Sequence, residues 1–184
     1  MGTIQSFFVQ AKHWQVFTVI FGLFCCTNVV LLLPAINGRN KGGLSTAGVI
    51  AVLVFYGCFA MWYWSMASFV QSSVKAILRP SLRFYRFAIS YPLVYLLLFN
   101  LFFEKLTPGI ILVIFPFHLL ALFCLFYTPV FITKNLAAAE TEQAVRFRDY
   151  AGALFLLWFF PIGIWFIQPR INRLYAVKLR PLSS

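Results

Sequence analysis

The sequence is short of charge: only 10% of its 184 residues are Asp, Glu, Lys or Arg, against about 25% in an average soluble domain. A chain with so few charges cannot coat a water-facing surface, which excludes an ordinary soluble globule. Acid is scarcer still. Four Asp and Glu stand against fifteen Lys and Arg, and none of the four acids lies inside an apolar run. The paired carboxylates of a hydrolase, or a nucleophile with its base, are therefore missing from the stretches that dominate the chain, and no catalytic set is expected. Histidine occurs twice, and the four cysteines, Cys25, Cys26, Cys58 and Cys124, all fall within apolar runs. Disulfide frameworks place cysteine in aqueous loops, and zinc sites pair it as C-x-x-C with further ligands. These cysteines read instead as small packing residues, and no metal or cofactor is expected. No internal repeat of fixed period is visible, which argues against a transporter built from duplicated halves.

What is abundant is apolar. Hydrophobic residues make up 62% of the chain, phenylalanine alone occurs 23 times, and the mean hydropathy is +0.87. Five apolar runs, at about 16–36, 46–70, 87–103, 110–132 and 151–168, approach the roughly 20 residues that span a hydrocarbon core. The first is too long for the core of a cleavable signal. The expected fold is all-α: a polytopic integral membrane bundle of four or five transmembrane helices, with 1–184 a single domain.

Local signals refine this outline. Residues 1–14 form an amphipathic lead-in, with Phe7, Phe8, Ala11 and Trp14 on one face and Trp14 at the headgroup level. Pro34 and the turn-rich 37–43 end the first helix. Ser45 or Thr46 caps the second, whose helical pattern continues to Leu78, where Arg79-Pro80 halts it. Ser81 caps the third, and Pro92 should kink it. The segment 133–150 reads as a cytoplasmic helix with Glu142 and Arg146 four apart and Arg146 and Asp149 three apart. Pro161-Ile162-Gly163 interrupts the last run.

Charge placement bears on orientation. The N-terminus, 71–86 and 133–150 are expected in the cytoplasm. If 151–168 crosses fully, the Lys and Arg divide eight against seven. If it dips and returns, only Arg39, Lys41 and Lys105 lie opposite the other twelve, a strong positive-inside bias. Segment length tilts the expectation towards a complete crossing.

Three groups of residues invite a role. Asn28, Asn100 and His118 lie at similar depths, roughly 20 Å from the cytoplasmic boundary at 1.5 Å per residue. They form a potential intramembrane polar cluster around a titratable imidazole, although separate interhelical hydrogen bonds account for them more simply. Ala51, Cys58, Ser65 and Ser72 recur every seven residues along the second span, a small-residue seam that lets a neighbouring backbone approach. Lys75, Arg79, Arg83 and Arg86, and later Arg170 and Arg173 with Lys178 and Arg180, flank spans as basic clusters. Such clusters contact anionic headgroups or simply anchor topology. The net charge of +11 thus points to lipid and not to nucleic acid, because no soluble surface exists to carry a nucleic-acid site.

Two stretches carry a resemblance. The opening Gln10-Ala-Lys-His-Trp-Gln15 and the closing Phe159-Phe-Pro-Ile-Gly-Ile-Trp-Phe-Ile-Gln-Pro-Arg-Ile-Asn172 resemble the two ends of small multi-pass bacterial membrane proteins without an assigned activity. The likeness implies a bacterial inner-membrane setting and no site residue. The leading functional expectation is a non-enzymatic membrane component that joins copies of itself or other membrane subunits through the seam. The alternatives are a small channel or carrier lined by the polar cluster, and a lipid-modifying enzyme using Glu140, Glu142 and Asp149.

Overall fold

The computed structural model describes residues 3–37, 45–102 and 108–179, apart from the side chains at 3–6, 35, 100–102, 108 and 179. Among them the fold is all-α. The helices are α1 (Thr3–Gln10), α2 (His13–Ile36), α3 (Thr46–Ser73), α4 (Arg83–Phe102), α5 (Pro108–Thr141), α6 (Phe147–Trp158) and α7 (Phe160–Leu179), with a 3-10 turn at Ala76–Leu78. Among the described residues, three stretches are long and apolar enough to cross a membrane: His13–Pro34, Thr46–Ser73 and Gly109–Thr141. Large apolar side chains stand exposed on α2 and on α5, where Ile111, Leu112, Val113, Phe115 and Phe117 all face outward. In water such a surface would aggregate; in hydrocarbon it is ordinary.

Helix α3 is the centre, packing on α1, α2, α4, α5 and α7 and burying Trp62, Tyr63, Met66, Ala67, Phe69 and Val70. Ser45 caps it, its hydroxyl accepting from Gly48 N at 3.1 Å. The seam residues touch other parts of the same chain. The Ala51 carbonyl accepts from Thr27 Oγ1 of α2 at 3.2 Å, Cys58 packs against the core, Ser65 is buried, and Lys178 Nζ of α7 donates to Ser72 Oγ at 3.1 Å and Ser72 O at 3.3 Å.

The far end of α3 differs from expectation. The helix stops at Ser73, with Val74 and Lys75 extended, and does not continue to Leu78. The hydroxyls of Ser72 and Ser73 bond back to Phe69 O at 2.7 and 2.9 Å, competing with the backbone ladder. Arg79 Nη2 then takes the freed carbonyls of Ser72 and Val74 at 3.2 and 3.3 Å. The segment 133–150 is likewise not one helix. Helix α5 runs 34 residues unbroken through Pro116 and Pro129, about 50 Å, and ends at Thr141. Glu142 turns the chain with φ 56°, and α6 starts at Phe147. Arg146 meets Asp149 through its backbone, its N donating to Asp149 Oδ2 at 2.6 Å, which is helix capping and not a pair along a continuous helix.

The last apolar run is the main departure. Instead of continuing through, α6 breaks at Phe159 (φ −88°, ψ 65°) and α7 folds back along α6. The close approach falls on Gly163, where a Cβ would sit 1.9 Å from Leu156 O, so only glycine admits the two backbones. The tip is deep. Trp158 stacks on Phe126 at 4.2 Å, about 22 Å from the end of α5 at 1.5 Å per residue, and Phe160 meets Phe24, Phe55 and Phe59. Backbone at that depth needs internal partners. Tyr63 hydroxyl donates to Leu157 O at 3.2 Å, and Phe159 O accepts from Ile162 N and Gly163 N. The returning helix reaches the ends of α3 and α5 through Lys178 on Ser72 and Arg170 on Glu140.

Candidate functional site

Two polar regions stand out, one inside the bundle and one at its basic end. The inner one is a knot of amides joining α1, α3 and α7. Gln168 is fully buried. Its Nε2 donates to Phe8 O at 2.8 Å, Ala11 O at 3.2 Å and Asn172 Oδ1 at 3.2 Å, while its Oε1 accepts from Trp62 Nε1 at 3.4 Å. Asn172 Nδ2 adds a second donor to Ala11 O, and Gln10 Nε2 donates to the Tyr175 hydroxyl at 2.8 Å. The carbonyls that α1 leaves unpaired at its end thus find side-chain donors. Val9, Phe8 and Ala11 are buried beside them, whereas Phe7 and Trp14 are exposed, so the lead-in docks through part of the expected face, Phe8 and Ala11, joined by Val9. His13 packs its ring against Trp165 at 4.7 Å. The two stretches that carry the family resemblance therefore meet one another here.

Asn28 and His118, expected to converge within the membrane, have separate partners. Asn28 Nδ2 donates to Phe24 O of its own helix at 2.7 Å. His118 Nδ1 meets the Tyr95 hydroxyl at 3.1 Å, linking α5 to α4. No hydrogen bond joins Asn28 to His118 among the described residues. Asn100 lies on α4, with its side chain outside the described residues.

At the basic end, several of the cations are engaged within the protein. Lys75 Nζ pairs with Glu142 Oε2 at 2.7 Å, and its hydrogen bond and charge hold that exposed carboxyl below its ordinary range. Arg170 grips Glu140 through both ends of its fork, Nε to Oε1 at 2.8 Å and Nη2 to Oε2, the bidentate arrangement that guanidinium favours. Glu140 raises the Arg170 pKa in return, chiefly through that hydrogen bond. Arg79 caps α3, as above, and the Arg86 guanidinium lies 5.8 Å over the Trp64 ring. Arg83 and Arg173 have no side-chain hydrogen bond or ion pair among the described residues, which leaves them open to outside anions. Arg180, Glu104 and Lys105 lie outside the described residues.

The residues missed from sequence are Gln168, Asn172 and Tyr63. The first two, with Tyr175, fall at i, i+4 and i+7 on one face of α7, a polar stripe that periodicity could have flagged. Comparison with protein-family models, with curated proteins and with solved structures gives no match.

Proposed function

We propose that this chain is a four-crossing integral membrane protein whose last segment is a re-entrant hairpin, and that it serves as a non-enzymatic membrane component. In this reading α2, α3, α4 and α5 cross, α6 and α7 dip in and return, and the N-terminus and the tail share the cytoplasmic side of a bacterial inner membrane. The observation that carries it is the return of α7 to the ends of α3 and α5, through Lys178 on Ser72 and Arg170 on Glu140. That return leaves Arg39, Lys41 and Lys105 as the minority side, which agrees with the positive-inside rule.

Two further features support a scaffold over an enzyme. The cytoplasmic acids Glu140, Glu142 and Asp149 are each occupied, by Arg170, Lys75 and the Arg146 amide. The open cations Arg83 and Arg173 suit anionic headgroups. Because Ala51 and Ser72 of the seam already meet α2 and α7 of this chain, the outer apolar side of α5 is the face that this reading assigns to a second copy or another subunit. Crosslinking through Val113→Cys in native membranes tests the assembly. A specific dimer or hetero-adduct supports it; a strictly monomeric particle with no co-purifying subunit refutes it. Lipid analysis of protein purified from mixed bilayers tests the headgroup contact. Anionic lipid should be enriched and should fall in Arg83→Gln/Arg173→Gln; retained lipid of bulk composition refutes that part.

A further inference from the structure

A cavity of about 400 Å³ opens beside the last turns of α5, between the segment around Leu78 and Pro80 and the chain from Gln143 to Tyr150. This volume lies within the usual range for small-ligand pockets. Its polar lining is Lys134, Asn135, Gln143, Tyr127 and Tyr150, and no acid is among the lining residues. Asn135 is only 4% exposed, yet it borders the cavity, and its Nδ2 uses a hydrogen on Phe131 O at 2.6 Å. Among the described residues, the Lys134 ammonium and the hydroxyls of Tyr127 and Tyr150 have no hydrogen-bond partner. This contrasts with Lys75 and Arg170, which hold the nearby acids Glu142 and Glu140.

A cation, two phenols and an amide among the lining residues, with the neighbouring carboxylates already committed, suit an anion. Lysine serves such sites as a point charge towards phosphate. The remaining wall is apolar, from Leu78, Pro80, Val130 and Phe131, so the space exceeds what a bare ion would fill. We propose that this cavity binds a phosphate ester, with the phosphate on Lys134 and the tyrosine hydroxyls and the carbon part of the ester against the apolar wall. Lys134 lies two residues past the apolar run that ends at Ile132, which in the membrane reading puts it near the height of a lipid phosphate. The lipid source rests on the membrane reading above; the phosphate chemistry does not.

The test uses the full chain in nanodiscs. In one arm, discs of phosphatidylcholine with phosphatidylglycerol are examined by native mass spectrometry for lipid that stays bound. In the other, discs of phosphatidylcholine alone are titrated with glycerol 3-phosphate and followed by ³¹P NMR. Lys134→Gln should weaken binding at least about fivefold, the effect of about one interfacial charge, while Lys134→Arg retains it and Lys12→Gln, away from the cavity, leaves it unchanged. Loss confined to retained phosphatidylglycerol identifies a lipid ligand; loss confined to glycerol 3-phosphate identifies a soluble ester. Equal binding by all variants in both arms overturns the site. Should general enrichment in phosphatidylglycerol persist while Lys134 proves irrelevant, the cavity fails and the membrane reading stands.

Discussion

Replacing Gln168 with leucine keeps the bulk at a fully buried position and removes every hydrogen bond that the side chain makes. Phe8 O loses its 2.8 Å donor and Trp62 Nε1 loses its acceptor at 3.4 Å, whereas Ala11 O keeps Asn172 Nδ2. A buried polar group left without a partner costs about 1–3 kcal/mol. The long indole bond belongs at the bottom of that range, so the two orphans together cost about 2–4 kcal/mol, offset in part by the added apolar surface of leucine. The loss should be local to α1, since its terminal carbonyls depend on this amide. Hydrogen exchange in detergent or nanodiscs should show faster exchange over Thr3–Gln10 with the centre of α3 little changed. Asn172→Ala, which removes one of two donors to Ala11 O, should cost less, about 1 kcal/mol. Unchanged protection of α1 in Gln168→Leu, with an unchanged unfolding midpoint, would refute the argument that this amide docks the helix.

Other expectations follow from single contacts. Gly163→Ala drives a methyl into the Leu156 carbonyl at 1.9 Å. The hairpin must then separate, at a cost at or above the roughly 1–3 kcal/mol typical of overpacking, seen as a lower unfolding midpoint in detergent; a neutral effect would mean that α6 and α7 do not approach there. His118→Ala breaks the bond to Tyr95 and should lower stability by about 0.6–2 kcal/mol, as interhelical bonds in membranes do, without altering ion flux in liposomes; a changed flux would revive the channel alternative. The Glu142 carboxyl is held below the ordinary value of 4.5 by Lys75. Because its folded-state pKa is the lower one, the contact stabilises above that value and is lost as pH falls through the depressed one. The difference in thermal midpoint between wild type and Glu142→Gln should therefore shrink on acidification below 4.5; a constant difference would deny the pairing.

Composition and the long apolar runs made the helical class legible, because charge-poor stretches of that length have few other solutions. The Ser45 cap was legible because capping is local. What escaped the sequence depended on contacts between distant segments. Equal depth suggested that Asn28 and His118 converge, but depth says nothing about rotation around each helix, and the two side chains point to different partners. The length of 151–168 suited a crossing. The fold-back of α7 along α6 rests instead on the room beside Leu156 that only Gly163 allows and on the partners of α7 at Ser72 and Glu140. Lys134 carries no sequence signal of its own, since the cavity beside it is assembled from three separate parts of the chain.

The most direct test is the side of the tail relative to the other loops. With the native cysteines replaced by alanine, Val177→Cys, Ile77→Cys and Asn37→Cys are each labelled with a membrane-impermeant maleimide in sealed vesicles of known orientation. The account predicts that Val177→Cys reacts from the same side as Ile77→Cys and the opposite side from Asn37→Cys. Labelling of Val177→Cys together with Asn37→Cys would mean that the last segment crosses the bilayer, and would contradict the re-entrant hairpin.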